Sequence, residues 1–167
     1  MIFITAFPFV KWVGGKRQLL HRIRNYYPFQ YNLSIHKYAE PFVGGGAVLF
    51  DILNTFHLKE VYISDLNADL ILTYKTIRDN PNDLIELLSI YQQEFLSYPL
   101  EERGYFYADQ RAKYNILTSL TTEKAALFIF LNKTCFNGLY RVNKSGKFNV
   151  ALGTYDSPII CDKENIL

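Results

Sequence analysis

The chain has 167 residues, 49% of them hydrophobic and 16% aromatic, which excludes a disordered polymer and leaves enough apolar surface for a core. Eighteen lysines and arginines against sixteen acids leave a net charge of +2, too little for charge alone to indicate a nucleic-acid partner. Any such reading must rest on where the charges lie.

Residues 9–17, FVKWVGGKR, crowd Lys11, Trp12, Lys16 and Arg17 around Gly14 and Gly15. The cluster fails twice as a phosphate-binding P-loop, with Val10 where the first glycine belongs and Arg17 where Ser or Thr must follow the lysine. Such a loop can instead cover an aromatic or zwitterionic ligand, Trp12 packing on it and Lys16 reaching a carboxylate. A surface turn beside a core tryptophan is the alternative. Leu19, Leu20, Ile23, Tyr26 and Tyr27 then recur at helical spacing over 18–27, with Arg22 and Arg24 opposite, and Pro28 ends the helix.

Residues 36–50, HKYAEPFVGGGAVLF, read as a strand handing the chain to a helix through Gly44, Gly45 and Gly46. The helix amides from Ala47 onward point into the space beside the loop. Glu40 is acceptor-only, so a ligand with cationic and hydroxyl groups suits the place better than a phosphate. The helix is expected over 47–56, with Val48, Leu49, Ile52 and Leu53 inward. Val61, Tyr62 and Ile63 predict a second, buried strand that delivers Asp65, 21 residues beyond Gly44, where open α/β nucleotide folds hold ribose hydroxyls. A dinucleotide frame starting at Gly44 would need glycine at 49, which is Leu49. Adenosine with a compact tail therefore fits better than NAD, and a glycine turn with a capping Asp in another α/β protein is the alternative. A helix over 67–78 turns Leu70, Ile71, Tyr74 and Ile77 to one face, completing a βαβα order typical of a mainly parallel sheet.

From Pro81 the pattern becomes consecutive helices. Leu84, Ile85, Leu87, Leu88 and Tyr91 form a stripe to about Leu96, a second segment follows Pro99, and Thr121 or Thr122 caps a third. Over 139–143 and 147–152 the residues alternate around Lys144-Ser145-Gly146, predicting a β-hairpin. Between Lys133 and Tyr155 stand four basic residues, Lys133, Arg141, Lys144 and Lys147, and no acid. With Asn137 and Asn149 for base edges, and Phe136, Tyr140, Phe148 and Tyr155 for stacking or wedging, this is a nucleic-acid kit. An exposed hairpin with solvated lysines is the alternative.

Cys135 and Cys161 form no CxxC pair, and His21, His36 and His57 lack the spacing of metal ligands, so a reduced cytoplasmic protein without a metal is expected. The apolar opening residues lack a basic leader and are broken by Pro8 and Lys11. No run approaches the roughly 18 residues of a membrane span. The sequons at Asn132 and Asn143 are accordingly read as coincidence.

KWVGGK at 11–16, EPFVGGGAV at 40–48, SDLNADLI at 64–71 and LNKTCFNGLYRVNKSGKFNV at 131–150 together resemble the Dam-type DNA adenine methyltransferases, in family order over nearly the whole chain. The resemblance implies methyl transfer from S-adenosyl-L-methionine to the exocyclic amino group of adenine in double-stranded DNA. It implies an α/β fold with a partial Rossmann-like methyltransferase sheet at 1–80, an inserted helical and β-hairpin target-recognition domain at 81–155, and a return to the catalytic domain at 156–167. Cofactor contacts would come from Trp12, Lys16, Glu40, Phe42, Gly44, Gly46 and Asp65, and DNA contacts from Lys11, Phe136, Asn137, Leu139 and Arg141. A GATC-like site would place Arg141 against guanine, although Ala151 stands where a proline often follows the FNV triplet.

The family's Asp-Pro-Pro-Tyr segment, which holds the flipped adenine, is absent, since the chain contains no Pro-Pro pair. The expectation is an N-terminal portion of such an enzyme, truncated or split, of marginal stability and inactive without the remainder or a separate chain that carries it. A non-catalytic DNA-binding fragment or decoy, and an α/β nucleotide-binding protein unrelated to DNA, are the competing readings.

Overall fold

The computed structural model describes residues 5–27 and 35–167. Pro28, expected to end the first helix, lies outside the described residues. The chain divides into two compact units, one of Gly14–Leu66 with the described residues before Phe9, the other of Phe9–Val13 with Asn67–Leu167.

In the first unit the helix expected over 18–27 is broken into three pieces: a 3-10 turn Lys16–Leu19, α1 (Leu20–Ile23) and a 3-10 turn Arg24–Tyr26. Gly15 offers no capping side chain, no acid stands in the first turn, and Lys16 and Arg17 occupy the end where the helix dipole disfavours cations. β1 (Lys37–Pro41) and β2 (Glu60–Ser64) pair in parallel, Lys37 opposite Glu60 and Pro41 opposite Ser64. Between them runs α2 (Ala47–Thr55). The expected burial of β2 is not found: Val61 and Tyr62 are exposed, because the sheet has only these two strands among the described residues.

α2 buries Leu49 and Ile52 as its periodicity predicts, but Leu53 is exposed and Asp51 is buried instead. Asp51 is tolerated inside because it is well paired. The Arg24 guanidinium grips both carboxylate oxygens, with Nε at 3.1 and 3.0 Å, and the Tyr27 hydroxyl donates to Oδ2 at 2.9 Å. The hydrogen bond from Arg24 leads the causes that hold the Asp51 carboxyl below its ordinary range. A depressed folded-state pKa gives stability that is present above the unfolded value, near 4, and lost as pH falls through the folded value. Glu40, treated below, is shifted the opposite way, so the two acids oppose each other. The difference between wild type and Asp51→Asn in melting temperature is therefore expected to shrink steadily as an acid titration passes below about pH 4. A difference that stays constant to strongly acid pH would contradict this.

The second unit contains α3 (Ala68–Asp79), α4 (Pro81–Ser97), α5 (Arg103–Ile116), α6 (Thr122–Thr134) and the short α7 (Lys163–Ile166). Asn67 caps α3 by accepting from Leu70 N at 2.9 Å, Pro81 opens α4, and Thr121 rather than Thr122 caps α6. α6 is apolar all round, Ala125 through Leu131 being buried without a gap, which makes it the central helix against which α3, α4 and α5 pack. Phe130 sits among Tyr91, Phe95, Phe106 and Tyr107 at centroid distances of 5.7–6.4 Å. In α3, Thr73 and Thr76 join Leu70 inside, since each hydroxyl donates to a carbonyl one turn back. Beyond the hairpin, Gln92 of α4 accepts from the Ile160 and Cys161 amides at 2.8 and 3.0 Å.

The expected two-stranded hairpin is found only as two arms. They are joined by a single antiparallel bridge, Val142 to Phe148, with Asn143 N donating to Lys147 O at 2.9 Å. The arms bond each other through Asn143 N to Lys147 O and Asn149 N to Arg141 O, while the backbone groups of Phe148 and Val150 point away from the first arm and are taken by α5. The Asn115 side-chain amide bonds both the N–H and C=O of Phe148 (2.8 and 3.0 Å), and Tyr107 and Arg111 both donate to Val150 O (2.8 and 3.1 Å).

Candidate functional site

The glycine loop of the first unit is strapped to the end of β2. Val43 N donates to Ser64 O at 2.9 Å, and Gly44 N donates to Asp65 Oδ2 at 2.9 Å. Gly46, at φ 80°, caps α2 in the left-handed region, where a side chain would be strained. Phe42 adopts φ 61° without being glycine and leaves its ring 65% exposed, a strained and uncovered aromatic of the kind found at binding loops. Glu40, buried near the end of β1, accepts from the Tyr38 hydroxyl at 2.8 Å and faces Lys16 Nζ at 3.8 Å. Burial pushes the Glu40 carboxyl above its ordinary range, with Tyr38, Lys16 and an α2 backbone amide acting against it.

Two adjacent parallel strands thus end in or beside carboxylates, Glu40 and Asp65, flanking a bend that opens a helix. That combination offers acceptors for hydroxyl and amino groups, and backbone donors for a carboxylate. Lys16, Glu40, Phe42, Gly44, Gly46 and Asp65 all belong to this first unit. Trp12 belongs to the second, where it stacks on Tyr140 at 5.7 Å and lies beside Phe128.

In the second unit buried Asn132 ties Lys11 to the turn that carries Phe136 and Asn137. Its Oδ1 accepts from Lys11 N at 2.8 Å, and its Nδ2 donates to Lys11 O at 2.8 Å and to Gly138 O at 3.0 Å. Lys11 is thereby laid along the turn Phe136–Gly138, where its stem packs so close that a methyl group on Gly138 would stand 2.5 Å from Lys11 Cβ. The Lys11 ammonium donates to Tyr155 Oη at 3.1 Å and lies 4.4 Å from that ring. Phe136 is 52% exposed, and Asn137, also exposed, has φ 53°. Beneath the turn the Cys135 thiol is fully buried and donates to Leu139 O at 3.3 Å, and burial raises its pKa to about 11.

Two aromatic assignments are corrected. Phe148 is buried edge-on against Tyr114, and Tyr140 is half-buried between Trp12 and Phe128, so both rings serve the core rather than a base stack. Lys133 is half-buried, with its pKa lowered by that burial, whereas Arg141, Lys144 and Lys147 are exposed. Asn149 is engaged by Arg141, whose Nε donates to Asn149 Oδ1 at 2.8 Å. Asn132, Asn115, Tyr107 and Arg111, which hold the interface in place, were not foreseen from the sequence, since nothing in their spacing marks them as tethers. The burial of Asn132 also removes its sequon from any acceptor role.

Among the described residues no group of His, Cys, Asp and Glu is disposed to hold a metal ion, and no helix is long and apolar enough to cross a membrane. The chain is 49% identical over 162 residues to the Type II methyltransferase M.MjaIII of Methanocaldococcus jannaschii, covering 95% of this chain and 56% of that protein. It is 41% identical over 164 residues to the Type II methyltransferase M1.LlaDCHI of Lactococcus lactis subsp. cremoris, covering 98% and 53%. To the DNA adenine methylase of Serratia marcescens it is 35% identical over 158 residues, covering 93% and 52%. The chain therefore spans about half the length of these three relatives. The family model for the D12 class N6 adenine-specific DNA methyltransferases matches residues 12–167, through the glycine loop, the central helix and the basic hairpin, and the chain belongs to that family.

Proposed function

We propose that this chain supplies the S-adenosyl-L-methionine site and the target-recognition part of a DNA adenine-N6 methyltransferase. In this reading residues 1–80 form part of a Rossmann-like methyltransferase sheet, 81–155 the inserted target-recognition domain, and 156–167 the return to the catalytic domain. The observation that carries it is the loop geometry, in which Asp65 holds Gly44 at the end of β2 while Glu40 waits near the end of β1. Asp65 would accept the ribose hydroxyls, Glu40 and Lys16 would face the amino and carboxylate ends of the methionine part, and Phe42 would cover it. When bound, the donor supplies an electrophilic methyl group. The protein's own task is to position it and exclude water.

In the second unit Lys11, Phe136, Asn137, Leu139 and Arg141 would meet the duplex, a GATC-like site being the reading that fits Arg141 against guanine. These 167 residues contain no Asp-Pro-Pro-Tyr segment. We therefore propose a cytoplasmic protein that binds donor and DNA but transfers no methyl group without a catalytic segment supplied by further sequence or a separate chain. Titration calorimetry of the chain with S-adenosyl-L-methionine, NAD and ATP is the test. Heat with the first alone is expected, and heat with NAD or ATP instead would replace this reading with that of a nucleotide-binding protein unrelated to DNA.

A further inference from the structure

We infer that Asn149 is the positioning residue that sets how Arg141 meets a base, and hence that base discrimination is fixed from α5. This rests on the reading of the hairpin as a duplex-DNA interface. Along the second arm Phe148 and Val150 are buried and Asn149 turns the other way. Both buried neighbours are pinned to α5, Phe148 by the Asn115 amide through its N–H and C=O, and Val150 through its carbonyl by Tyr107 and Arg111. Asn149 is thus clamped on either side before it makes any contact of its own.

From that fixed point it grips Arg141 three times. Asn149 N donates to Arg141 O at 3.1 Å, Arg141 Nε donates to Asn149 Oδ1 at 2.8 Å, and Arg141 Nη2 donates to Asn149 O at 3.3 Å. A guanidinium has two forks of parallel N–H donors, the side-on fork of Nε with Nη2 and the end-on fork of Nη1 with Nη2. Asn149 occupies the side-on fork. Only the end-on fork remains to meet the O6 and N7 acceptors of a guanine in the major groove. Asn149 itself, with its carbonyl oxygen turned to Arg141, is a holder of the reading side chain and not a base reader.

The test uses the 167-residue chain and a duplex library randomised across the footprint, sequenced after selection. It is paired with titrations of one selected and one unrelated duplex at several salt concentrations. Asn149→Ala is expected to lower the preference for guanine at one position by about tenfold, with the affinity for the unrelated duplex and its salt slope unchanged. Asn149→Asp keeps the acceptor and adds a negative charge, so it is expected to keep the preference while weakening all duplexes alike. Equal weakening of every duplex by Asn149→Ala with a shallower salt slope would overturn the inference, since that marks a phosphate contact. An intact preference in Asn149→Ala would overturn it too. Arg141→Ala separates the underlying reading: if that variant keeps the guanine preference, the assignment of Arg141 as base reader fails, whatever Asn149 does.

Discussion

Asp65→Ala is expected to raise the dissociation constant for S-adenosyl-L-methionine by about a hundredfold and to leave duplex affinity unchanged. Two losses combine. The proposed ribose acceptor disappears, and charge-assisted hydrogen bonds of that kind are worth about 1.5–3 kcal/mol each. The Gly44 amide also loses the carboxylate that holds it at 2.9 Å. The Val43 to Ser64 bond remains as a strap to the end of β2. Asp65→Asn preserves an acceptor for Gly44 without the charge and is expected to fall between. Calorimetry with the donor, beside a gel-shift titration with duplex, checks both halves. An Asp65→Ala protein that binds the donor like wild type would remove Asp65 from the site.

Asn132→Leu carries the larger cost to stability. Leucine has the same branched skeleton as asparagine, with bulkier methyl ends, but offers no polar atom. The substitution therefore takes the Asn132 partner from Gly138 O in a buried setting and from Lys11 N and Lys11 O in a part-buried one. A buried group left so costs about 1–3 kcal/mol and a part-buried one less, so a loss of about 2–4 kcal/mol is expected, a large share of the 5–15 kcal/mol that typically holds a domain together. Lys11 is also released from the Phe136–Gly138 turn, so any folded protein that remains is expected to bind duplex several-fold more weakly. Thermal melting and duplex titration measure the two effects, and a melting curve superimposable on wild type would count against the role given to Asn132.

The parts of the fold that depend on local chemistry were legible in the sequence. The glycine loop between β1 and α2, the Asp at the end of β2, the Asn67 cap and the opening of α4 at Pro81 all follow from residues whose backbone preferences are strong. What escaped depends on long-range partners. Asp51 could be read as buried on α2 only by knowing that Arg24 and Tyr27 reach it, and the second arm's attachment to α5 only by knowing that Asn115, Tyr107 and Arg111 reach its outer edge. Tyr140 and Phe148 have the composition of a stacking surface and the position of a core, and alternation along a strand cannot tell those apart until the opposing helix is placed. The site residues divide the same way: Gly44 and Asp65 announce themselves, whereas Asn132 looks like any polar residue in a helix.

The sulfur under the Phe136–Gly138 turn has a practical consequence for handling the protein. A thiol with its pKa near 11 and no solvent contact stays protonated at neutral pH, so maleimides, iodoacetamide and peroxide find little thiolate at Cys135. Cys161 is partly accessible. A fluorophore attached by thiol chemistry will therefore report from the stretch that leans on α4, while the turn beneath which Cys135 lies keeps its native chemistry.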